Sequence, residues 1–476
     1  MIQTPHHVFL RTTATLLLLA IGMLLLSACG GVATIPATPT APSATVTPVA
    51  TTPTLAAPAG TPTPDPAVLL KDGGIAIIEA AYNRLLDEYI EPLDSSRILD
   101  GAWTLLAQEA NAESLSLPAR PAFDDDRTND FAAFRSAYAR LTAGVADPTQ
   151  LRYAAIRGMA TTLQDCHTFF LNPVANDTLV DTRAGKGSVG VGIELAGIPP
   201  LVTEVIAGGP ASGAGVLVGD RVEAVDGSDT SGLGPAGAYD LINGREGTPV
   251  RLTLRRPGFD ATVDAVATRA RVTPENIESR VLDGGIGYVR IRNFIDGGVA
   301  QPLRSALTVF DAQGVTSWII DLRGDPGGRL DPDAISLFVK DGVIVRDRGR
   351  GGVLEEERAS GATLPVVRPT VLLTNNRTGS VAEVFAAALQ EYQQAYVIGA
   401  NTNGCVGYTD IQPLGDGSSL AVTTNTHLGP VTNNKLNGVG VAPNEPVART
   451  QDDIANARDP QLDAAIAHLR AAAVGG

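Results

Sequence analysis

The residues that could do chemistry stand in two short glycine-containing turns. The first is Thr374-Asn375-Asn376-Arg377-Thr378-Gly379-Ser380-Val381-Ala382-Glu383, which joins an apolar strand to a helix of small residues. A serine there exposes its side chain at the positive end of the helix, and neighbouring backbone N–H groups point at any oxyanion formed beside it. On this pattern alone a serine is ordinarily an N-cap. The second turn is Asp321-Leu322-Arg323-Gly324-Asp325-Pro326-Gly327-Gly328, where backbone free of side chains can approach a ligand closely. One turn can carry a nucleophile and the other an oxyanion donor, which is what acyl transfer requires. A serine hydroxyl also needs a base within hydrogen-bond reach, and imidazole suits neutral pH. Beyond the first thirty residues the histidines are His167, His427 and His468.

The chain that must position these groups has 476 residues, with 36 Lys and Arg against 51 Asp and Glu, a formal charge of -15. Its length implies two or three domains. Its acidity excludes a nucleic-acid surface, which needs clustered cations. Three cysteines, Cys29, Cys166 and Cys405, exclude a disulfide framework or a cysteine-rich metal site. No metal or organic cofactor is implied. Residues 1–28 carry Arg11 and then an apolar run, the pattern of an export signal. The run closes on Leu26-Ser27-Ala28-Cys29, which resembles a bacterial lipoprotein box and implies lipidation of Cys29 and a membrane-anchored, extracytoplasmic protein. Residues 29–66 are rich in Thr, Pro and Ala and cannot bury enough apolar surface to fold, so they read as a tether.

Residues 67–180 read as helical, with Ile77, Ile78, Ala81, Leu85 and Tyr89 at helix spacing and Phe134, Tyr138 and Leu141 likewise. The region ends in Asp165-Cys166-His167-Thr168. Short alternating runs and turns follow over 181–272. There Gly190-Val191-Gly192-Ile193, and later Gly209-Pro210-Ala211 with Gly219-Asp220-Arg221-Val222, resemble a PDZ domain. That resemblance implies a peptide tail added at a sheet edge, its carboxylate held by the N–H groups of Gly190 to Ile193. Over 273–476 strands at Ile286–Ile291, Trp318–Leu322, Val366–Thr374 and Ala395–Gly399 alternate with helices at Pro332–Val339 and Val381–Tyr392. The expected architecture is α+β and multidomain: a helical region, an inserted β-rich PDZ domain, and an α/β core with strand–helix crossovers.

Taken in order, these motifs resemble the C-terminal processing peptidases, a family of serine peptidases also called tail-specific proteases. The matching stretches are Ala155 to Thr168, the PDZ segments, Ile286 to Phe294, Asp321 to Gly328, Ser380 to Tyr392 and Gly438 to Asn444. The resemblance implies endoproteolysis of exported or envelope proteins that present C-terminal tails. It makes Ser380 the nucleophile, and Val381 with Gly327 or Gly328 the oxyanion donors.

The chain departs from the family at the base. Members usually carry a lysine 25 residues past the serine and a glutamine four further on; here those positions hold Cys405 and Thr409. The four lysines, Lys71, Lys186, Lys340 and Lys435, stand elsewhere. His167 matches the general base of the tricorn-like branch of these peptidases, although lysine-type members keep a similar motif with a structural histidine. His427 is an alternative base and His468 reads as a surface residue. Glu445, near the closing Gly-Val-Ala-Pro segment, is the candidate acid for orienting the imidazole, and Glu383 reads as loop support. The family fold brings the Cys166 and Cys405 motifs together, which implies a disulfide in an oxidising compartment; a free Cys405 or two buried thiols are the alternatives. The resulting expectation is a lipid-anchored serine endopeptidase, with a PDZ-bearing pseudopeptidase that only binds tails as the rival.

Overall fold

The computed structural model describes residues 69–183, 188–273, 275–295, 298–352 and 354–475. Cys29, the export signal and the tether lie outside the described residues.

Helices Ile75–Glu88, Ser95–Ala112, Arg127–Thr142 and Thr149–Thr161 come first. Their apolar stripes close one core in which Ile77, Ile78, Ala81, Leu85, Phe134 and Tyr138 are fully buried. Tyr89 ends the first helix rather than extending its stripe, its φ and ψ of -58° and 139° being non-helical. The acidic loop before the third helix has a local purpose, because the Asp126 carboxylate accepts from the N–H groups of Thr128 and Asn129. The second and fourth helices touch through Gly101 and Gly158. A Cβ on Gly158 would sit 2.2 Å from the Gly101 carbonyl oxygen, so only glycine permits this approach. The fourth helix, fixed by that contact, delivers the segment Asp165 to Thr168.

The helical reading breaks at the next element and resumes in the helix Pro173–Arg183. Phe169–Leu171 is a strand, antiparallel to Ser419–Leu428 with Phe169 opposite Ala421. Leu420 and Val422 of the longer strand enter the helical core, so the N-terminal region is sealed by a strand from the far end of the chain. A five-stranded sheet runs Phe169–Leu171, Ser419–Leu428, Val343–Gly349, Leu354–Arg358, with Tyr408–Pro413 also on Ser419–Leu428.

The inserted module is a sheet in the order Ile193–Ala196, Leu201–Val205, Arg221–Val225, Pro249–Arg255, Val263–Thr268. Helices Pro210–Gly213 and Pro235–Ile242 cover it. Val191, Leu195, Val202, Val222, Val250 and Leu252 form its core.

The remaining sheet has six strands, Ile277–Leu282, Ile286–Ile291, Ser317–Asp321, Thr370–Thr374, Tyr396–Gly399 and Glu445–Pro446. From Ile286–Ile291 onward all neighbours are parallel. Helices must therefore cross over both faces, and the strands read as continuous apolar runs. Ala300–Ala312 and Val381–Glu391 pack on one face, and Ala465 and Leu469 of Pro460–Gly475 on the other. The helix expected over Pro332–Val339 stops at Ser336. In open parallel sheets ligands bind beyond the carboxyl ends of the strands. Both glycine turns lie at such ends, on the adjacent strands Ser317–Asp321 and Thr370–Thr374.

Candidate active site

Ser380 sits at φ 53° and ψ -124°, between its strand and the helix Val381–Glu391. A non-glycine residue pays about 1–3 kcal/mol for such backbone, so the surroundings must impose it. They do so through the Ser380 N–H, which donates to the Cys405 carbonyl at 2.9 Å and to Glu383 Oε2 at 3.0 Å. The Glu383 N–H reaches the Ser380 carbonyl at 2.9 Å rather than its side chain. Ser380 and Glu383 keep the arrangement of a capping box, but no hydrogen bond of the half-exposed Oγ meets ordinary geometry among the described residues.

The two glycine turns are bonded together. Gly379 N–H donates to the Asp325 carbonyl at 2.9 Å, Thr378 Oγ1 to the Leu322 carbonyl at 2.8 Å, and Gly324 N–H to Asn375 Oδ1 at 3.1 Å. Gly327, at φ 89°, lies flush against the serine, since a Cβ there would be 2.6 Å from Ser380 Cβ. Gly328 lies against Phe294 and Ile295 instead. The Gly327 N–H is already committed, donating to Asp325 Oδ1 at 2.8 Å. The N–H groups of Gly328 and Val381 have no acceptor among the described residues.

Two buried acids support these turns. Glu383 accepts from Ser380 N–H, Thr402 Oγ1, Gly404 N–H at 2.7 Å and Cys405 N–H at 2.9 Å. Burial raises its pKa and these donors oppose the rise. Asp325 is fully buried, its Oδ2 has no partner among the described residues, and burial pushes its pKa well above the ordinary value. Its role was not visible in the sequence, where it reads as one more turn residue.

His167 is positioned by Asp165, which accepts the His167 N–H at 3.1 Å and Thr168 Oγ1 at 2.8 Å. Thr168 Oγ1 also reaches Thr423 Oγ1 at 3.1 Å, tying the segment to Ser419–Leu428. Cys166 and Cys405 are joined as a disulfide, Cα to Cα 6.0 Å, within the span such a bond allows. The His167 ring lies on it, with Nδ1 3.3 Å from each sulfur. Burial lowers the His167 pKa, opposed by Asp165 and reinforced by His427, so the ring is neutral near pH 7. Cys405 is what serine and histidine share: its carbonyl holds the Ser380 amide and its sulfur touches the ring. No hydrogen bond links Ser380 Oγ to the ring itself among the described residues. These three groups, Cys166, His167 and Cys405, have ligand atoms within 4.8 Å of one another, but disulfide sulfurs are not thiolate ligands.

Glu445 is placed elsewhere, on the edge strand opposite Ile398, and has no contact with His167. No carboxylate among the described residues hydrogen-bonds the His167 ring. The imidazole that does have one is His427, buried on Ser419–Leu428, whose Nδ1 contacts Asp347 Oδ1 across the strand pair. Asp347 escaped the sequence reading because only that long-range register brings it there. His468 is half-buried rather than a free surface residue, stacked on Tyr396 at 4.1 Å.

Gly190, Val191, Gly192 and Ile193 line a cavity of about 340 Å³ with Ile206, Tyr239, Ile242 and Asn243. The adjoining strand edge is occupied from within the chain. Leu195 N–H donates to Tyr239 Oη at 2.8 Å, and the Leu195 carbonyl accepts from Arg377 Nη1 at 2.8 Å.

Residues 285–447 match peptidase family S41, and residues 201–256 match a PDZ domain. The carboxy-terminal-processing protease of Bartonella bacilliformis is 30% identical over 307 residues, 63% of this chain and 70% of that protein. The carboxyl-terminal-processing protease of Synechocystis is 30% identical over 328 residues, 66% of this chain and 76% of that one. Among solved structures, the photosystem II D1 C-terminal processing protease superposes with a TM-score of 0.52 at 25% identity, covering 79% of this chain and 93% of that one. With the PDZ module inserted ahead of an S41 core, the chain belongs to the C-terminal processing proteases, a family of serine peptidases.

Proposed function

We propose that this protein is a lipid-anchored endopeptidase that cleaves exported or envelope proteins through an acyl-enzyme on Ser380. The observation that carries the reading is the Ser380 hydroxyl, held on strained backbone against Gly327, with the N–H groups of Val381 and of Gly328, next in that turn, lacking an acceptor among the described residues. Ser380 Oγ attacks the scissile carbonyl and its proton passes to neutral His167, which closes the remaining distance when substrate fills the site. The developing oxyanion is met by the Gly328 and Val381 N–H groups. The protonated imidazole then gives its proton to the leaving amine, and water drawn through the same base releases the acid. The PDZ module recruits the substrate's C-terminal tail at Gly190 to Ile193. The names of the relatives, which describe carboxy-terminal processing, support that choice of substrate.

A fluorophosphonate probe tests the nucleophile. The wild type should form a covalent adduct on Ser380, and Ser380→Ala should form none. Absence of an adduct on the wild type, or equal labelling of the variant, sinks the reading and leaves a protein that binds tails without cutting them. For the anchor, Cys29→Ala should move the protein from the membrane to the soluble fraction.

A further inference from the structure

We infer that the Cys166–Cys405 bond is a thiol–disulfide exchange site through which a dithiol reductant switches the peptidase off. The inference rests on His167 being the base of Ser380. Cys166 is exposed, whereas Cys405 is half-buried, so a thiolate reaches the Cys166 sulfur first. Attack there forms a mixed disulfide at Cys166 and breaks the bond to Cys405, whose sulfur leaves with the electron pair. That leaving sulfur lies 3.3 Å from His167 Nδ1, and a neighbouring imidazole that can carry a proton stabilises a thiolate. The second thiol of the reductant then resolves the mixed disulfide. Two cysteine thiols and one oxidised, cyclic disulfide of the reductant result.

The consequence falls on the ring rather than on the fold. The His167 backbone keeps its own anchors after reduction: the N–H on Asp165 at 3.1 Å and the carbonyl on Thr409 Oγ1 at 3.3 Å. The turn also keeps the Thr168 hydroxyl, which accepts from Thr423 N–H at 3.0 Å. In the oxidised protein neither sulfur has a proton to give, and half-buried His167 stays neutral and able to accept one from Ser380. In the reduced protein either thiol can pass its proton to the adjacent imidazole, forming a thiolate–imidazolium pair. A protonated His167 cannot act as a general base.

The test is the rate of fluorophosphonate labelling at Ser380 with and without a dithiol, with mass mapping of Cys166 and Cys405 to report their state. Labelling of the oxidised wild type should be at least about 100-fold faster than that of the reduced form, the usual worth of a general base, and should return on reoxidation. Equal rates in the two states overturn the switch while leaving the peptidase reading intact. No labelling of the oxidised protein overturns the peptidase reading itself. The double variant Cys166→Ala, Cys405→Ala separates proton capture from a lost tether. It should label at one rate with or without dithiol, well above the reduced wild type. A double variant as slow as the reduced wild type, or thermal unfolding showing that reduction melts the domain, refutes the proton-capture mechanism.

Discussion

At the scale of single residues, the site depends on groups whose protonation is set by burial. His167 is held below its ordinary imidazole value chiefly by burial. A base must be neutral to work, so activity should rise with pH through a midpoint below about 6.5, the unperturbed value. The same shift fixes the sign for stability. Between the lowered folded pKa and about 6.5 the unfolded chain binds more protons, so stability is full above that window and falls as pH drops through it. His167→Ala should abolish the acid limb of the pH–rate profile along with turnover; unchanged turnover would refute the base and spare the nucleophile. Glu383→Gln tests the other side. The amide offers donors where four donors already point, so at least one buried N–H loses its acceptor, a cost of about 1–3 kcal/mol. Urea unfolding should show that loss as a lower midpoint.

At the scale of elements, glycines decide how closely backbones approach. Gly158→Ala raises helix propensity by up to about 1 kcal/mol. Against this, its Cβ would lie 2.2 Å from the Gly101 carbonyl oxygen, which the helix pair can relieve only by moving apart. Overpacking of about 1–3 kcal/mol outweighs the propensity gain, so the melting temperature should fall. Activity should fall with it, since the displaced helix carries His167 at its end. This scale also separates what the sequence reveals from what it hides. The turns at Ser380 and Gly327-Gly328 were legible because each directly follows an apolar strand in the chain, while the nucleophile reading of Ser380 came from the family resemblance. The PDZ module was legible because its segments Gly190 to Ile193, Gly209 to Ala211 and Gly219 to Val222 resemble those of PDZ domains and stand in the same order. Phe169–Leu171 was not, because its partner residues Ser419, Leu420 and Ala421 lie about 250 residues away and no local pattern announces them. Asp347 beside His427 depends on a similar pairing, and the unmatched oxygen of Asp325 depends on how deeply its turn is buried. The pairing of Cys166 with Cys405 spans 239 residues and was suggested by the family resemblance, not by spacing.

At the scale of the whole molecule, the edge strand of the PDZ module is bonded to the turn that carries Ser380. Arg377, three residues before Ser380, donates to the Leu195 carbonyl at 2.8 Å and pairs with Glu194 at 3.1 Å. Arg290 and Arg292 of the core add contacts to Glu204 on the next strand. An added peptide strand needs the outward N–H and carbonyl groups of Ile193 to Ala196. The Leu195 carbonyl is already spent on Arg377, so a tail that extends past Gly192 competes with the guanidinium. Removing a competitor raises apparent affinity by the fraction of competent state it restores. Arg377→Ala should therefore bind a long tail peptide several-fold more tightly than the wild type, measured by fluorescence anisotropy. A peptide of only two or three residues, which stays at Gly190 to Gly192, should bind both proteins alike. An amidated long peptide should bind both weakly, because the carboxylate contact is lost in either case. Equal affinity of the long peptide for the two proteins would show that Arg377 does not cover the strand edge in solution, and that the bond to Leu195 only braces the Ser380 turn.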